Sequence, residues 1–378
     1  MREYRQCTKC IMDTNDDPAI EFNEAGICNH CTNFDRLWKE HVLTGEAGKR
    51  KVEETIARIK EDSKGKQYDT ILGLSGGVDS SYLAWLAKQY GLNPLCVHFD
   101  NGWNSELAVK NIEDIITTLN FDLYTYVINW EEFRDLQRAY IKASVIDIEA
   151  ITDHAIFATM YKIAAEKKIK YVLSGFNIAT EGILPYSWTH RKTDYINIQD
   201  IHKHYGSVPL KTFPFFDRKV KKARNYELET VELLNWIPYD KAEAKNILIN
   251  QLNWRDYGGK HYESVFTRFY QGYILPVKFK IDKRKAHLST LICSGQMTKE
   301  EAFKELEKPI YDPSLLKTDK EFVLKKLGFS EEEFDELMKA PQRPHADFKV
   351  EGSLFYYYPF LLPFRPIWEK YKKIKNKA

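Results

Sequence analysis

Thr70-Ile71-Leu72-Gly73-Leu74-Ser75-Gly76-Gly77-Val78-Asp79-Ser80-Ser81-Tyr82-Leu83-Ala84-Trp85-Leu86-Ala87 reads as a short apolar strand, a glycine turn and a helix. The run 70–74 suits a strand buried on both faces. Leu83, Leu86 and Ala87 recur at helical spacing, and Gly91 suits a helix C-terminal cap. Gly76 and Gly77 let the backbone turn sharply and bring its N–H groups close to an anion. The hydroxyls of Ser75 and Ser80 add donors, and the helix aims its positive end at the same point. No Gly-Lys-Ser/Thr follows, so this is a phosphate cradle of a kind other than the Walker loop.

Working outward, strands are expected at 95–99, 123–128 and 170–173. Leu107, Ile112, Ile115, Ile116 and Leu119 mark a helix, and further helices are expected near 131–142 and 150–167. Strands alternating with helices at this spacing imply an α/β fold, a Rossmann-like parallel sheet with helices on both faces. After 182 the pattern weakens. Residues 182–217 read as loops, 230–234 as a strand, 241–252 as a helix and 255–340 as mostly helical.

Hydrophobic residues at 43% and charged residues at 29% are ordinary for a globular chain, and a net charge of +2 gives no support for a broad nucleic-acid face. The polar start 1–6 lacks the apolar core of an export signal, and no run approaches the ~20 apolar residues of a membrane span. A cytoplasmic protein is expected. Its 378 residues exceed one comfortable core. The expected layout is a zinc-knuckle unit at 1–35, a helical connector at 36–65, an ATP-binding α/β domain at 66–254 and a helical substrate or partner region at 255–378.

Four of the six cysteines form two Cys-x-x-Cys pairs, Cys7/Cys10 and Cys28/Cys31. Without an export signal this pattern favours a metal over disulfides, and the spacing suits one tetrahedral Zn²⁺ held by four thiolates. A closed four-sulfur site is structural and would supply folding energy that so short a stretch lacks. An iron–sulfur cluster and a redox pair are the alternatives. His30 is expected as a neighbour, Cys96 as core, and Cys293 receives no role.

The 75–80 loop, in its strand–loop–helix setting, resembles the PP-loop (N-type) ATP pyrophosphatase family. The resemblance implies cleavage of ATP between the α- and β-phosphates and activation of a carbonyl oxygen as its adenylate. It makes Ser75, Gly76, Gly77, Val78, Asp79 and Ser80 ATP-binding residues, with Asp79 also catalytic. Asp100 lies where such enzymes hold the nucleoside, and Gly175, Asn177 and Glu181 follow the fourth strand on the same edge. Asp79, Asn177 and Glu181 are candidates for organising Mg²⁺ and pyrophosphate.

The whole chain resembles the N-acetyl sugar amidotransferase family of surface-polysaccharide and pseudaminic acid pathways, a WbpG/PseA-like group. The resemblance rests on Cys7-Thr8-Lys9-Cys10-Ile11-Met12-Asp13-Thr14, on the loop, and on the stretches 256–264, 266–273, 283–289 and 293–298. It implies that ATP adenylylates a sugar N-acetyl oxygen and that ammonia replaces it, giving an acetamidino sugar, AMP and pyrophosphate. Enzymes that take glutamine nitrogen within one chain carry a cysteine after Met1, where this chain has Arg2. Ammonia is therefore expected from another subunit, and the resemblance implies a HisH-like glutaminase with a HisF-like barrel partner and a UDP-linked N-acetyl sugar as acceptor.

Lys260, His261, Arg268, Arg284 and His287 are candidates for holding the acceptor's anionic groups. Lys260 and Arg268 are also candidates for catalysis. Glu263 is expected to receive a proton as ammonia attacks. The rival readings are a PP-loop tRNA-thiolating enzyme and an ATP-binding protein without catalysis. The aromatic stretch 355–364 and basic stretch 370–377 suit core packing, partner docking or an interfacial membrane contact.

Overall fold

A computed structural model describes residues 3–258, 262–352 and 363. Five strands, β1 (Thr70–Gly73), β2 (Pro94–Asp100), β3 (Leu123–Val127), β4 (Tyr171–Leu173) and β5 (Glu229–Val231), form one sheet in the order β3-β2-β1-β4-β5. All neighbouring pairs are parallel, with Ile71 opposite both Leu95 and Val172. The helices around the sheet are α1 (Asn29–His41), α2 (Gly45–Asp62), α3 (Val78–Gln89), α4 (Glu106–Leu119), α5 (Trp130–Ala143), α6 (Ala150–Glu166), α7 (Ile178–Glu181), α8 (Tyr195–Tyr205), α9 (Arg218–Tyr226) and α10 (Lys241–Leu252). Beyond them come α11 (Val265–Phe269), α12 (Lys283–Cys293), α13 (Lys299–Glu307), α14 (Pro313–Leu327) and α15 (Glu331–Lys339).

Successive strand residues point to opposite faces, so the sheet makes two cores. On one face Leu72, Leu173 and Cys96 pack with Leu83 of α3, Ile115 of α4 and Leu248 of α10. On the other, Ile71, Val97 and Val172 pack with Ala158 and Ala164 of α6 and Val220 of α9. A third core joins Cys7, Cys10, Cys28, Cys31 and Phe34 to Phe133 and Tyr140 of α5 and to Phe266, Phe269 and Phe334. The cysteine unit thus shares its interior with the C-terminal helices.

The chain runs from β1 out to β3 on one side, then returns to β4 and β5 on the other. The order reverses between β1 and β4, and the crevice at that switch point is where such sheets bind ligands. Among the described residues no helix is long and apolar enough to cross a membrane.

Two local expectations change, and a third gains detail. The 182–217 segment contains α8, capped by Asp194, whose carboxylate accepts the Asn197 N–H at 3.1 Å. Its inner face mixes Ile198 and Ile201 with buried Asn197, which hid the helical periodicity. The second cysteine pair runs into α1, which starts at Asn29, so the knuckle and the connector interlock. Within 255–340, the segment Tyr270–Phe279 is a π-helix with Pro276 inside it. The aromatic and basic stretches at 355–364 and 370–377 lie outside the described residues apart from Pro363.

Candidate active site

The loop leaving β1 is tightly determined. Gly76 has φ +80°, and a Cβ there would lie 2.7 Å from the Ala108 carbonyl oxygen of α4. The buried Trp254 donates its indole N–H to the Gly76 carbonyl at 2.8 Å. Ser75 Oγ and Ser80 Oγ are 3.1 Å apart, and the Gly77 N–H donates to Ser75 Oγ at 3.2 Å. Gly77 is the N-cap of α3 without a side-chain cap, so the helix start keeps its donors for an anion. A Cβ on Gly77 would meet Tyr257 Oη at 3.3 Å and Glu263 Oε1 at 3.8 Å, which puts both groups against the loop.

The second loop of the switch point, after β4, packs directly on the first. A Cβ on Gly175 would touch the Asp79 and Ser80 main chain at 3.6 Å. The buried Asn177 caps α7 by accepting from the Thr180 N–H at 2.9 Å, and its amide reaches Asp79 Oδ1 at 3.4 Å. Tyr239 donates its hydroxyl to that same Asp79 oxygen. Burial and the Asp79 carboxylate hold the Tyr239 hydroxyl far above its usual range, so it stays a donor. Burial, with Glu263 and Asp79, does the same to Tyr257. Glu181 ends α7, and His287 Nδ1 of α12 lies 3.2 Å from the Thr180 carbonyl oxygen. Asp100 ends β2, where its Oδ1 accepts from the Gly102 N–H at 2.8 Å and the Asn104 amide at 3.4 Å.

A cavity of about 350 Å³ opens beside the loop. Its floor is the β1 and β2 ends, from Gly73 to Ser75 and from Val97 to Phe99. Trp188 and Leu184 form an apolar side, while Glu263, Ser264, Thr267 and Gln271 supply polar groups from the C-terminal region. That wall is pinned to the sheet because the Ser105 N–H donates to the Glu263 carbonyl (2.8 Å) and the Val265 N–H to the Trp103 carbonyl (2.9 Å).

Charges line the cavity too. Lys192 bonds Asp147 at 2.7 Å and Asp153 at 3.1 Å. Burial opposes its charge, but the two carboxylates outweigh that and hold the amine above its usual range. Glu149 accepts from Thr267 Oγ1 at 2.6 Å, and burial pushes its carboxyl up to about 7. Burial lowers the amine of Lys283, the first residue of α12.

Two expected substrate residues are committed elsewhere. Arg268 makes a two-pronged pair with buried Asp319, Nε to Oδ2 at 2.7 Å and Nη2 to Oδ1 at 3.0 Å, and does not line the cavity. Arg284 pairs with Asp282 at 2.8 Å and donates to the Lys308 carbonyl past the end of α13 at 2.8 Å. Both guanidiniums are thereby tied to carboxylates of the fold. Lys260 and His261 lie outside the described residues. The sequence reading passed over Tyr239, Tyr257, Glu149, Trp188, Lys192 and Lys283. Of these, Lys283 had a usable signal: it sits one helical turn before His287, so the two share a face.

The four cysteines gather as the spacing predicts, with every Sγ within 4.8 Å of the others. Cys7–Cys31 and Cys10–Cys28 are 3.8 Å apart and Cys28–Cys31 3.6 Å. A tetrahedron of sulfurs about 2.3 Å from a central ion has edges of roughly 3.8 Å, so the set fits a tetrahedral metal. The N–H groups of Cys10 (3.4 Å) and Cys28 (3.2 Å) point at Cys7 Sγ, which suits a thiolate. His30 bonds Asp17 at 2.9 Å and is a neighbour rather than a ligand. Cys293 of α12 adds a fifth sulfur 3.5 Å from Cys31. The unit also reaches the cavity, since Trp188 donates to the Asp16 carbonyl at 2.7 Å and Ser187 to Asp17 at 2.8 Å.

Two family models match this architecture. Residues 71–202 match asparagine synthase, and residues 263–361 match the C-terminal domain described as LPS biosynthesis protein WbpG-like. The chain is a PP-loop protein with a WbpG-like C-terminal domain. The PP-loop assignment implies ATP as the nucleotide. An uncharacterized protein of Methanocaldococcus jannaschii is 25% identical over 313 residues, 80% of this chain and 94% of that protein. A tRNA(Ile)-lysidine synthase of Chlamydia pneumoniae is 37% identical over 71 residues, 18% of this chain and 22% of that enzyme. Among solved structures, the NH3-dependent NAD synthetase of Campylobacter jejuni aligns with 75% of this chain and 97% of its own, at 18% identity and TM-score 0.31. An NMN synthetase of Francisella tularensis aligns with 60% of this chain and 93% of its own, at 14% identity and TM-score 0.29.

Proposed function

We propose that this PP-loop protein with a WbpG-like domain is an AMP-forming carbon–nitrogen ligase that turns a sugar N-acetyl group into an acetamidino group. The observation that carries the reading is the cavity, where Ser75 of the loop shares one space with Glu263, Ser264, Thr267 and Gln271 of the WbpG-like region. Trp188 gives the cavity an apolar side suited to a sugar ring's C–H face, and the hydroxyl and amide groups around it suit sugar hydroxyls.

In this reading the loop N–H groups and the Ser75 and Ser80 hydroxyls hold the phosphates. Tyr239 and Asn177 orient Asp79, which with Glu181 would hold Mg²⁺ together with phosphate oxygens, and the ion would neutralise charge on the departing pyrophosphate. Amides are poor electrophiles, and adenylylation of the amide oxygen makes it a leaving group. Glu263, against the loop, accepts a proton as the nitrogen attacks. The four cysteines would hold Zn²⁺ structurally, bracing Trp188 through Asp16 and the adjacent Ser187 through Asp17. Ammonia would come from a separate glutaminase with a barrel partner, and a UDP-linked N-acetyl sugar would be the acceptor.

The test is to incubate the protein with ATP, Mg²⁺, ammonium and a panel of UDP-N-acetyl sugars. AMP should form together with a product lighter by one mass unit. The lysidine synthase match keeps a tRNA-modifying reading in view. AMP formation only with tRNA would establish that reading instead.

A further inference from the structure

We propose that Glu149 is the carboxylate that captures ammonium in this cavity and takes the first of the protons the nitrogen must lose. The inference rests on the amidination reading of the same site. Glu149 is the N-cap residue of α6 and borders the cavity shared by Ser75 and Glu263. The neighbouring carboxylates already share a cation, because Lys192 bridges Asp147 and Asp153. Glu149 makes no ion pair at bonding distance among the described residues, and Lys283 and Lys192 act on its charge only from farther off. Its Oε1 accepts from Thr267, and among the described residues no donor reaches Oε2. Lys283 borders the same cavity, and among the described residues its amine makes no hydrogen bond or ion pair. Thr267 holds one carboxylate oxygen, which leaves the other to accept from a ligand with several N–H donors.

The groups that face Glu149 are Asp147 and Asp153 beside it in the chain, Lys192, Lys283 from α12, and Thr267 and Tyr270 from the segment that begins at α11. Burial is the main influence on its charge, and it places the carboxyl near about 7. A carboxylate poised there binds ammonium as an ion pair and still accepts its proton.

The proton balance calls for two acceptors. Ammonium gives one proton to the Glu149 carboxylate, leaving ammonia and a carboxylic acid. Ammonia forms a C–N bond at the adenylylated carbon, and that nitrogen then carries three hydrogens and a positive charge. A second proton passes to Glu263 as the C–O bond breaks, AMP leaves with the electron pair, and the product is an amidinium. Both carboxyls return their protons to water when the site opens.

The experiment separates this claim from the choice of acceptor. Nitrogen-15-labelled ammonium chloride is titrated into the protein with ATP and Mg²⁺ but no sugar, and binding is read from NMR line broadening between pH 5.5 and 8.5. The wild type should show saturable binding that rises through about pH 7 as Glu149 ionises. Glu149→Gln, which still accepts from Thr267, should weaken binding at least roughly 10-fold and abolish the pH limb. Glu149→Asp should restore the limb. Unchanged binding or an unchanged limb in Glu149→Gln, with a native melting curve, overturns the proposal, as does absence of binding in the wild type. Intact binding without an amidino product from any acceptor sinks the amidination reading and leaves the ammonium site standing.

Discussion

Replacing Gly76 by alanine should damage the phosphate loop in a way that can be separated into two parts. At φ +80° an L-residue is strained by about 1–2 kcal/mol. The added Cβ also lands 2.7 Å from a main-chain oxygen of α4, and such overpacking costs about 1–3 kcal/mol more. Gly65 provides the control, since it has φ +75° with nothing within 4 Å of an added Cβ. Gly65→Ala should therefore show only the strain. Urea unfolding of both variants isolates the Ala108 contact as the difference between them. ATP binding, followed by titration calorimetry, should fall at least roughly 10-fold in Gly76→Ala and not at all in Gly65→Ala. Equal destabilisation of the two variants, or full-affinity ATP binding by Gly76→Ala, would refute the claim that α4 fixes the cradle.

Tyr239→Phe removes the hydroxyl that holds Asp79, and pyrophosphate release should slow roughly 10-fold or more while Asp79→Ala abolishes it; full turnover in Asp79→Ala contradicts its assigned role. Arg268→Ala should cost about 3–5 kcal/mol by stranding buried Asp319, seen as an earlier urea midpoint. A rise in KM at unchanged stability would return Arg268 to the substrate site. Chelation of the cysteine site should lower the melting temperature and alter Trp188 fluorescence, because the Asp16 and Asp17 contacts lie on the same unit. Zinc analysis of the purified protein should give one ion per chain, and a metal-free protein of identical stability refutes the structural role.

Acid should unfold the protein partly through His154. Its ring is fully used as the neutral form, with Nδ1 2.7 Å from the Lys192 carbonyl and Nε2 accepting the Phe216 N–H at 2.8 Å. Burial depresses it to about 4. The unfolded chain therefore binds this proton more readily, so the stability is intact above about pH 6.5 and is lost as pH falls toward 4. The loss is on the order of 3 kcal/mol. Urea midpoints of the wild type and His154→Gln across this window should differ in slope, and parallel curves exclude the effect.

Fold class was legible because it rests on local periodicity. Residues 70–74, 95–99, 123–128 and 170–173 are mostly apolar at strand length, and each supplies a strand of the sheet to within a residue or so at its ends. The 75–80 loop and the two cysteine pairs were legible because fixed spacing along the chain is itself the signal. Helix α8 escaped because its buried side carries Asn197, which donates to the His345 carbonyl, and Asp200, which accepts from the Lys349 N–H.

The substrate wall could not be read in the same way. Arg268 and Arg284 look alike in sequence to a cation facing a ligand, and only the fold sets Asp319 and Asp282 beside them. Glu149, Lys192 and Lys283 are far apart along the chain, and folding brings them into one cavity where burial acts on their charges. The sequence by itself determined the sheet, the anion cradle and the sulfur cluster, since each depends on residue type at short range. Tertiary structure decided which charges face the ligand and which hold the fold, because desolvation and pairing depend on neighbours contributed by distant segments.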